Sequence, residues 1–222
     1  MITVSKEDYL KAILEAEGEG ELVIAARLAH WLDVSAPAVT MALRRLKRDG
    51  LVSVRRDGHV LLTSAGRKIA RQLALRHHLI ERMLHEIFGM AWYKTHDEAE
   101  RLEHAVSSDF EAMLLRKLGR SEPCPHGNSP TPETPREKRK RGLLLLSEAA
   151  PGNLYAVQSV YERDRKLLEF LEAKGIRPGT SLKVEARNYD GTISMAIDRR
   201  KAELGGPAAE KIWVARTHVN VS

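Results

Sequence analysis

Cysteine occurs once in this chain of 222 residues, so no internal disulfide can form. The Pro-Cys-Pro surroundings of Cys124 predict a turn carrying an incidental thiol more than a member of a ligand set. No apolar run approaches the ~20 residues that a membrane-spanning helix needs, which excludes such a helix, and the opening MITVSKEDY is not a signal peptide. A cytoplasmic protein is the expectation. Nor is the chain short of hydrophobic residues, as a disordered one would be: they make up 43%, against 30% charged. That is enough for one large or two small cores.

The net charge is only +6, but its distribution is uneven. Residues 36–76 hold ten Lys or Arg against two Asp, a net of +8, while residues 77–111 hold eight Asp or Glu against three Lys or Arg, a net of −5. A block suited to a polyanion therefore adjoins a block suited to a cation. Five of the nine histidines fall within residues 77–104 of that acidic block.

Two helices are expected through the acidic block. From Thr63 to Phe88, Ile69, Leu73, Ile80, Leu84 and Ile87 recur at three- and four-residue spacing, and Gly89 is a stop. His77 then points inward with Glu81 one turn later on the same side. Thr95 to Glu98 reads as a capping box opening a second helix with Ala99, Leu102, Val106 and Met113 as its stripe. His96, Glu100, Glu103 and His104 fall together beside that stripe. Imidazoles and carboxylates converging at a core edge can ligate a divalent cation, whereas buried carboxylates without one repel each other.

Upstream, Ser5 opens a first helix, with Asp8 completing a Ser5-to-Asp8 capping box. Residues 22–33 and 36–49 form two short helices around a Val34-Ser35 turn, with Ser35 as N-cap and Pro37 in the first turn. This is a helix-turn-helix. Leu51–Val54 and His59–Leu62 follow as a hairpin with a basic tip, which makes a winged helix. The third helix would enter a DNA major groove with Ser35, Ala36, Pro37, Ala38, Thr40 and Met41 nearest the bases. Arg44, Arg45, Lys47, Arg48, Arg55 and Arg56 would chiefly meet phosphates.

The runs APAVTMALRRLKRDGLV, LTSAGRKIA, RHHLIERML, THDEAERLEH and CPHGNSPTP resemble, in order and spacing, the iron- and manganese-dependent repressors of the diphtheria toxin repressor type. The resemblance is strong over residues 4–132 and weak beyond. It implies a primary metal site at Asp8, Glu100, Glu103 and His104. The iron branch has Met and Cys where this chain has Asp8 and Glu100, which implies the manganese branch, and carboxylate oxygens suit Mn²⁺ and Fe²⁺. His77, Glu81 and His96 match an ancillary site, so two Mn²⁺ (or Fe²⁺) sites per subunit are expected. Lys11 stands where two-domain manganese regulators have Glu, a departure that favours separate sites over a paired one.

The Pro- and charge-rich run after Gly119 predicts a solvated linker, with a basic knot at Arg136 to Arg141. Strands are expected at 154–161, 181–186, 192–197 and 211–215, with a short helix near 164–174, forming a small β-barrel that resembles the SH3-like domain of three-domain members. Glu162 and Asp164 are weak ligand candidates from it. The expected architecture is mainly α with small β: a winged helix-turn-helix over 1–74, a helical metal-binding and dimerisation domain over 75–132, a linker over 133–145 and an SH3-like (FeoA-like) domain over 146–222. The expected function is a homodimeric, Mn²⁺-activated DNA-binding repressor of metal-uptake genes acting on a palindromic operator, with no catalytic residues and no organic cofactor. An Fe²⁺-responsive relative, a metal-independent winged-helix regulator and a carboxylate-histidine metallohydrolase are the rivals, in that order.

Overall fold

The computed structural model describes residues 4–198 and 200–217; the outer ends of the expected first and last domains lie outside them. Helix α1 (Val4–Gly18) packs on α2 (Ala25–Trp31) and α3 (Ala36–Arg48), followed by the hairpin β1 (Val52–Val54) and β2 (Val60–Leu62). Val39, Leu43 and Leu46 recur at four- and three-residue spacing on α3, and all three are buried against Leu10, Ile13 and Leu28. Ser35 caps α3 by accepting from the Ala38 amide at 3.4 Å, as its sequence position predicts. Ser5, in contrast, lies inside α1, not before it, so the expected Ser5-to-Asp8 capping box does not form.

Helix α4 (Ser64–Arg82) starts at a Thr63 cap and runs into a π-helical turn, Met83–Ile87, ending at Gly89 with φ 67°. The expected long second helix of the acidic block is broken. Thr95 is not a cap: its hydroxyl donates to the Trp92 carbonyl at 2.9 Å, and α5 (Thr95–Leu102) ends before a fresh start at Ser107, which caps α6 (Ser108–Leu118). The break turns Met113 to the surface, whereas Val106 stays on the core with Leu75, Leu79, Ile80 and Leu114.

Residues 133–145 are not a solvated spacer. Thr134 forms a capping box with Glu137 to open α7 (Pro135–Lys140), Lys138 is buried under the Trp213 ring, and β3 (Leu143–Leu145) joins the last domain's sheet. That sheet is completed by β4 (Leu154–Val160), β5 (Ser181–Arg187), β6 (Ile193–Ile197), β7 (Arg200–Leu204) and β8 (Ile212–Thr217) in the antiparallel order β3-β8-β4-β5-β6-β7. Helices α8 (Arg165–Ala173) and α9 (Gly206–Ala209) complete the domain. Its core takes in Trp92 from the helical domain, whose indole also donates to Glu172 at 2.6 Å. Burying a tryptophan is worth up to roughly 4–6 kcal/mol by area, so the last domain is held against the metal-binding helices and not merely tethered to them.

Candidate metal centre and nucleic-acid interface

The outer face of α3 carries the residues expected to meet DNA. Ser35, Ala36, Pro37, Ala38, Thr40, Met41, Arg44, Arg45, Lys47 and Arg48 are all exposed, and so are Arg55 and Arg56 at the hairpin tip. The small residues of the first turn leave the helix N-terminus open to close approach, and the cations lie further along and on the wing. Such a face grips phosphates through its charge and reads base edges through the first helical turns.

The ligand candidates of α1, α4 and α5 converge where these helices meet. Asp8, Glu103 and His104 form one set whose donor atoms lie within 4.8 Å of one another, His104 Nε2 being 2.7 Å from Asp8 Oδ1. Glu7 holds the other ring nitrogen of His104 at 3.0 Å, a contact that orients the imidazole. Glu100, expected in this set, groups instead with His77 and His96. The expected ancillary residues meet closely: His77 Nε2, His96 Nδ1 and Glu81 Oε1 lie 3.0–3.2 Å apart. Glu81 also belongs to a further set with Cys124, His126 and Glu162.

This last set contains two residues that sequence reasoning missed. Its Pro-Cys-Pro surroundings make Cys124 look like an incidental thiol, and nothing in the CPHGNSPTP run alone singles out His126 as a ligand. Both are buried, and Cys124 lies at the start of a turn closed by Gly127 N to Cys124 O at 2.8 Å. The Cys-x-His spacing within one Gly-closed turn was the available signal, because it puts two donors on the same small loop. Gly127 is required there: its φ is +81°, and a Cβ would lie 1.9 Å from the Gln158 carbonyl oxygen. The close approach seats the loop on β4, next to the Glu162 that follows that strand. Asn128 donates to Glu162 at 2.6 Å and orients its carboxylate. Asp164, the other weak candidate, instead caps α8 by accepting from the Leu167 amide at 3.0 Å.

Lys11 occupies the middle of the network. Its buried ammonium donates to both Glu103 oxygens at 2.8 and 2.6 Å, lies 2.9 Å from Glu100 and 3.1 Å from His77 Nδ1. Burial disfavours its charge, but Glu15, Glu100 and Glu103 outweigh that and hold it firmly protonated. Where the resemblance to two-domain manganese regulators implies a carboxylate, this chain carries a cation of its own.

The remaining charges are balanced by protons. Burial and Lys11 oppose protonation of His77, yet Glu81 and Glu103 overcome them and raise its pKa to about 10. His126 is raised too, against burial, chiefly by Glu81. Glu81 is driven well below the usual carboxylate range, against burial, by His126 and His77, and Glu100 falls to about 2, against burial, through Lys11, His77 and His96. Burial and the facing Glu81 and Glu162 push the Cys124 thiol well up. Carboxylates, imidazoles and a thiol gathered in this way, with His126 Nδ1 3.4 Å from Glu81, 3.6 Å from Glu162 and 3.7 Å from the Cys124 sulfur, fit a divalent cation that replaces protons.

Comparison with known proteins agrees with these observations. Residues 1–60 match the family described as iron dependent repressor, N-terminal DNA binding domain; residues 63–132 match its metal binding and dimerisation domain; residues 144–216 match the FeoA domain. The chain is 40% identical to the iron-dependent repressor IdeR of Mycobacterium tuberculosis H37Rv, over 95% of this chain and 96% of that protein. It is also 40% identical to the diphtheria toxin repressor of Corynebacterium diphtheriae, over 94% of this chain and 95% of that protein. Among solved structures, a manganese-dependent transcriptional repressor in complex with manganese aligns with TM-score 0.84 and 34% identity, covering 96% of this chain and all of that one. The repressor ScaR with bound Cd²⁺ aligns with TM-score 0.79 and 30% identity, covering 96% of this chain and 99% of that one. A winged helix, a helical ligand network and an SH3-like domain in one chain, joined to relatives matching over nearly its whole length, make this protein a metal-dependent transcriptional repressor of the diphtheria toxin repressor family.

Proposed function

We propose that this repressor responds to Mn²⁺, with Fe²⁺ as the second choice, and that each subunit of a homodimer holds two ions. The observation that carries this reading is the donor set of Asp8, Glu103 and His104, oxygen-rich and free of sulfur, which suits a hard or borderline cation. Glu100 stands beside it on Lys11. The second ion belongs to Glu81, Cys124, His126 and Glu162, with His77 and His96 flanking Glu81. When bound, the ions supply positive charge that converging carboxylates share.

Asp8 lies on α1, within the winged helix, and Glu103 and His104 lie at the end of α5, within the helical domain. Drawn together, they hold the two parts in one relative orientation. A homodimer matches two successive major grooves about 34 Å apart on a palindromic operator only in such an orientation, so ligation acts by selecting a population. Ile87, Phe88, Phe110 and Met113 are exposed apolar residues on the helical domain and support that domain as the dimer face. Metal-uptake genes are the expected targets, and a cytoplasmic setting suits such a DNA-binding role.

The test is fluorescence anisotropy on genomic fragments upstream of metal-transport genes, at constant salt, in chelator and then with Mn²⁺, Fe²⁺ and Zn²⁺. Tight binding only with metal, abolished when Glu103 and His104 are replaced by Ala, is the expected result. Equal binding in chelator would sink the metal switch and favour a constitutive winged-helix protein. Metal-dependent turnover without DNA affinity would favour a hydrolase.

A further inference from the structure

Arg163 follows Glu162 directly, but it points its charge at a different domain. Its guanidinium pairs with Glu15 on α1, lies 3.5 Å from the carbonyl of Trp31 and stacks 4.9 Å over the Trp31 ring. Trp31 is the last residue of α2, and only the 32–34 turn separates it from the Ser35 cap of the recognition helix. The same guanidinium is 3.8 Å from Glu100. Two cavities meet here: one beside Glu81, Cys124 and Glu162, and one running from Asp8 and His104 to Met41 and Arg45 on α3. Glu15, Trp31 and Arg163 line both, and so form the wall between them.

We propose that Arg163 is a positioning residue that relays ligation at Glu162 to the winged helix, making the SH3-like domain part of the switch. The proposal rests on the reading of Glu162 as a ligand. Glu162 and Arg163 share one peptide unit, so a carboxylate drawn toward Glu81, Cys124 and His126 sets where the next side chain begins. With that origin constrained, the guanidinium reaches Glu15 and Trp31 together and holds α1 against the end of α2. Without it, the Glu162 carboxylate is held only by the Asn128 amide and by His126, which it shares with Glu81, so segment 161–163 is less firmly anchored and the clamp is made only part of the time. An arginine suits the role because a planar fork can pair with a carboxylate and stack on an indole at once, which a lysine cannot do. Only the relative energies of clamped and unclamped states need differ, and coupling of this kind is typically worth 5–150-fold in affinity.

The experiment compares the full-length wild type with Arg163→Ala and Glu15→Gln, which remove the contact from opposite domains. Mn²⁺ binding is measured by calorimetry, amide hydrogen exchange over residues 25–49 is measured with and without Mn²⁺, and DNA affinity is measured on a duplex selected from a random pool by the Mn²⁺-loaded wild type. Both variants should keep the wild-type Mn²⁺ stoichiometry and metal-free DNA affinity, lose the Mn²⁺-dependent slowing of exchange over residues 25–35, and bind the duplex in Mn²⁺ roughly 10-fold more weakly. Wild-type slowing of exchange in Arg163→Ala would overturn the relay, as would loss of Mn²⁺ stoichiometry in that variant, which would make Arg163 a structural part of the site. The underlying ligand reading is checked separately by Glu162→Gln: undiminished Mn²⁺ binding there would remove the reading, and the relay with it, whatever Arg163→Ala does.

Discussion

Replacing Lys11 with Met tests whether this chain carries its own cation in place of a metal. The substitution keeps a long unbranched stem and removes the ammonium, so packing changes little. The electrostatics change greatly, because Glu103 is fully buried and both of its carboxylate oxygens accept from Lys11, at 2.8 and 2.6 Å. At an effective dielectric of about 20, a pair at this separation attracts by roughly 6 kcal/mol, much of which offsets the cost of burying both ions. Removing one partner of such a pair costs about 3–5 kcal/mol, since the other is left uncompensated. His77 still faces Glu103 at 2.7 Å, which puts the expected loss at the lower end, about 3 kcal/mol. For a protein of this size that is a fall in Tm of roughly 6–12 °C in chelator. Thermal unfolding followed by circular dichroism measures it. Added Mn²⁺ should then raise the Tm of the variant by more than that of the wild type, because Glu100, Glu103 and His77 are released as donors; saturation at 100 times Kd is worth about 2.7 kcal/mol. A Tm unchanged within about 1 °C in chelator, or the same Mn²⁺ gain in both proteins, would refute the argument.

Four further outcomes follow from the same geometry. Cys124→Ser exchanges a soft donor for a hard one, so Zn²⁺ affinity should fall at least about 10-fold and Mn²⁺ affinity by less; equal losses in competition titrations would remove Cys124 from the ligand set. His77 is raised to about 10 in the metal-free network and the Cys124 thiol is also raised, so ligation by either must expel a proton and metal affinity must rise with pH. Calorimetry in buffers of different ionisation enthalpy near pH 7 should therefore detect proton release, and none would mean that neither residue ligates. The same shift has a linkage consequence: because the folded-state pKa of His77 lies above its ordinary value of 6.5, its contribution to stability is complete below 6.5 and lost as pH rises toward about 10. Denaturant midpoints in chelator should decline over that window. Finally, Phe88 is 71% exposed on the helical domain, and Phe88→Glu should convert the dimer to monomer in sedimentation velocity without unfolding it; a persistent dimer would move the interface elsewhere.

Sequence alone was enough for several features set by local spacing, though not for the Ser5-to-Asp8 and Thr95-to-Glu98 capping boxes. The Val39, Leu43 and Leu46 stripe, the Ser35 cap and the two-residue alternation of the hairpin are short-range properties, so the winged helix was legible. The inward turn of His77 and Glu81 on α4 was legible for the same reason. The break between α5 and α6 was not, because Thr95 to Glu98 and Ser107 offer competing starts and only packing against Trp92 and α4 chooses between them. Strand β7 escaped notice because RKAEL is mostly charged and is drawn into the sheet by pairing with β6. The ligand partition depended on contacts distant in sequence. Glu103 meets Lys11 across 92 positions, and Cys124 meets Glu162 across 38. Residue types and helical phase determined that this chain gathers candidate cation ligands beside a DNA-binding domain. Only the tertiary structure decided that Lys11 fills the centre of one set, that Cys124 and His126 complete another, and that Arg163 reaches across to α1, because a charge is balanced by whatever folding brings within about 3 Å of it, at any separation along the chain.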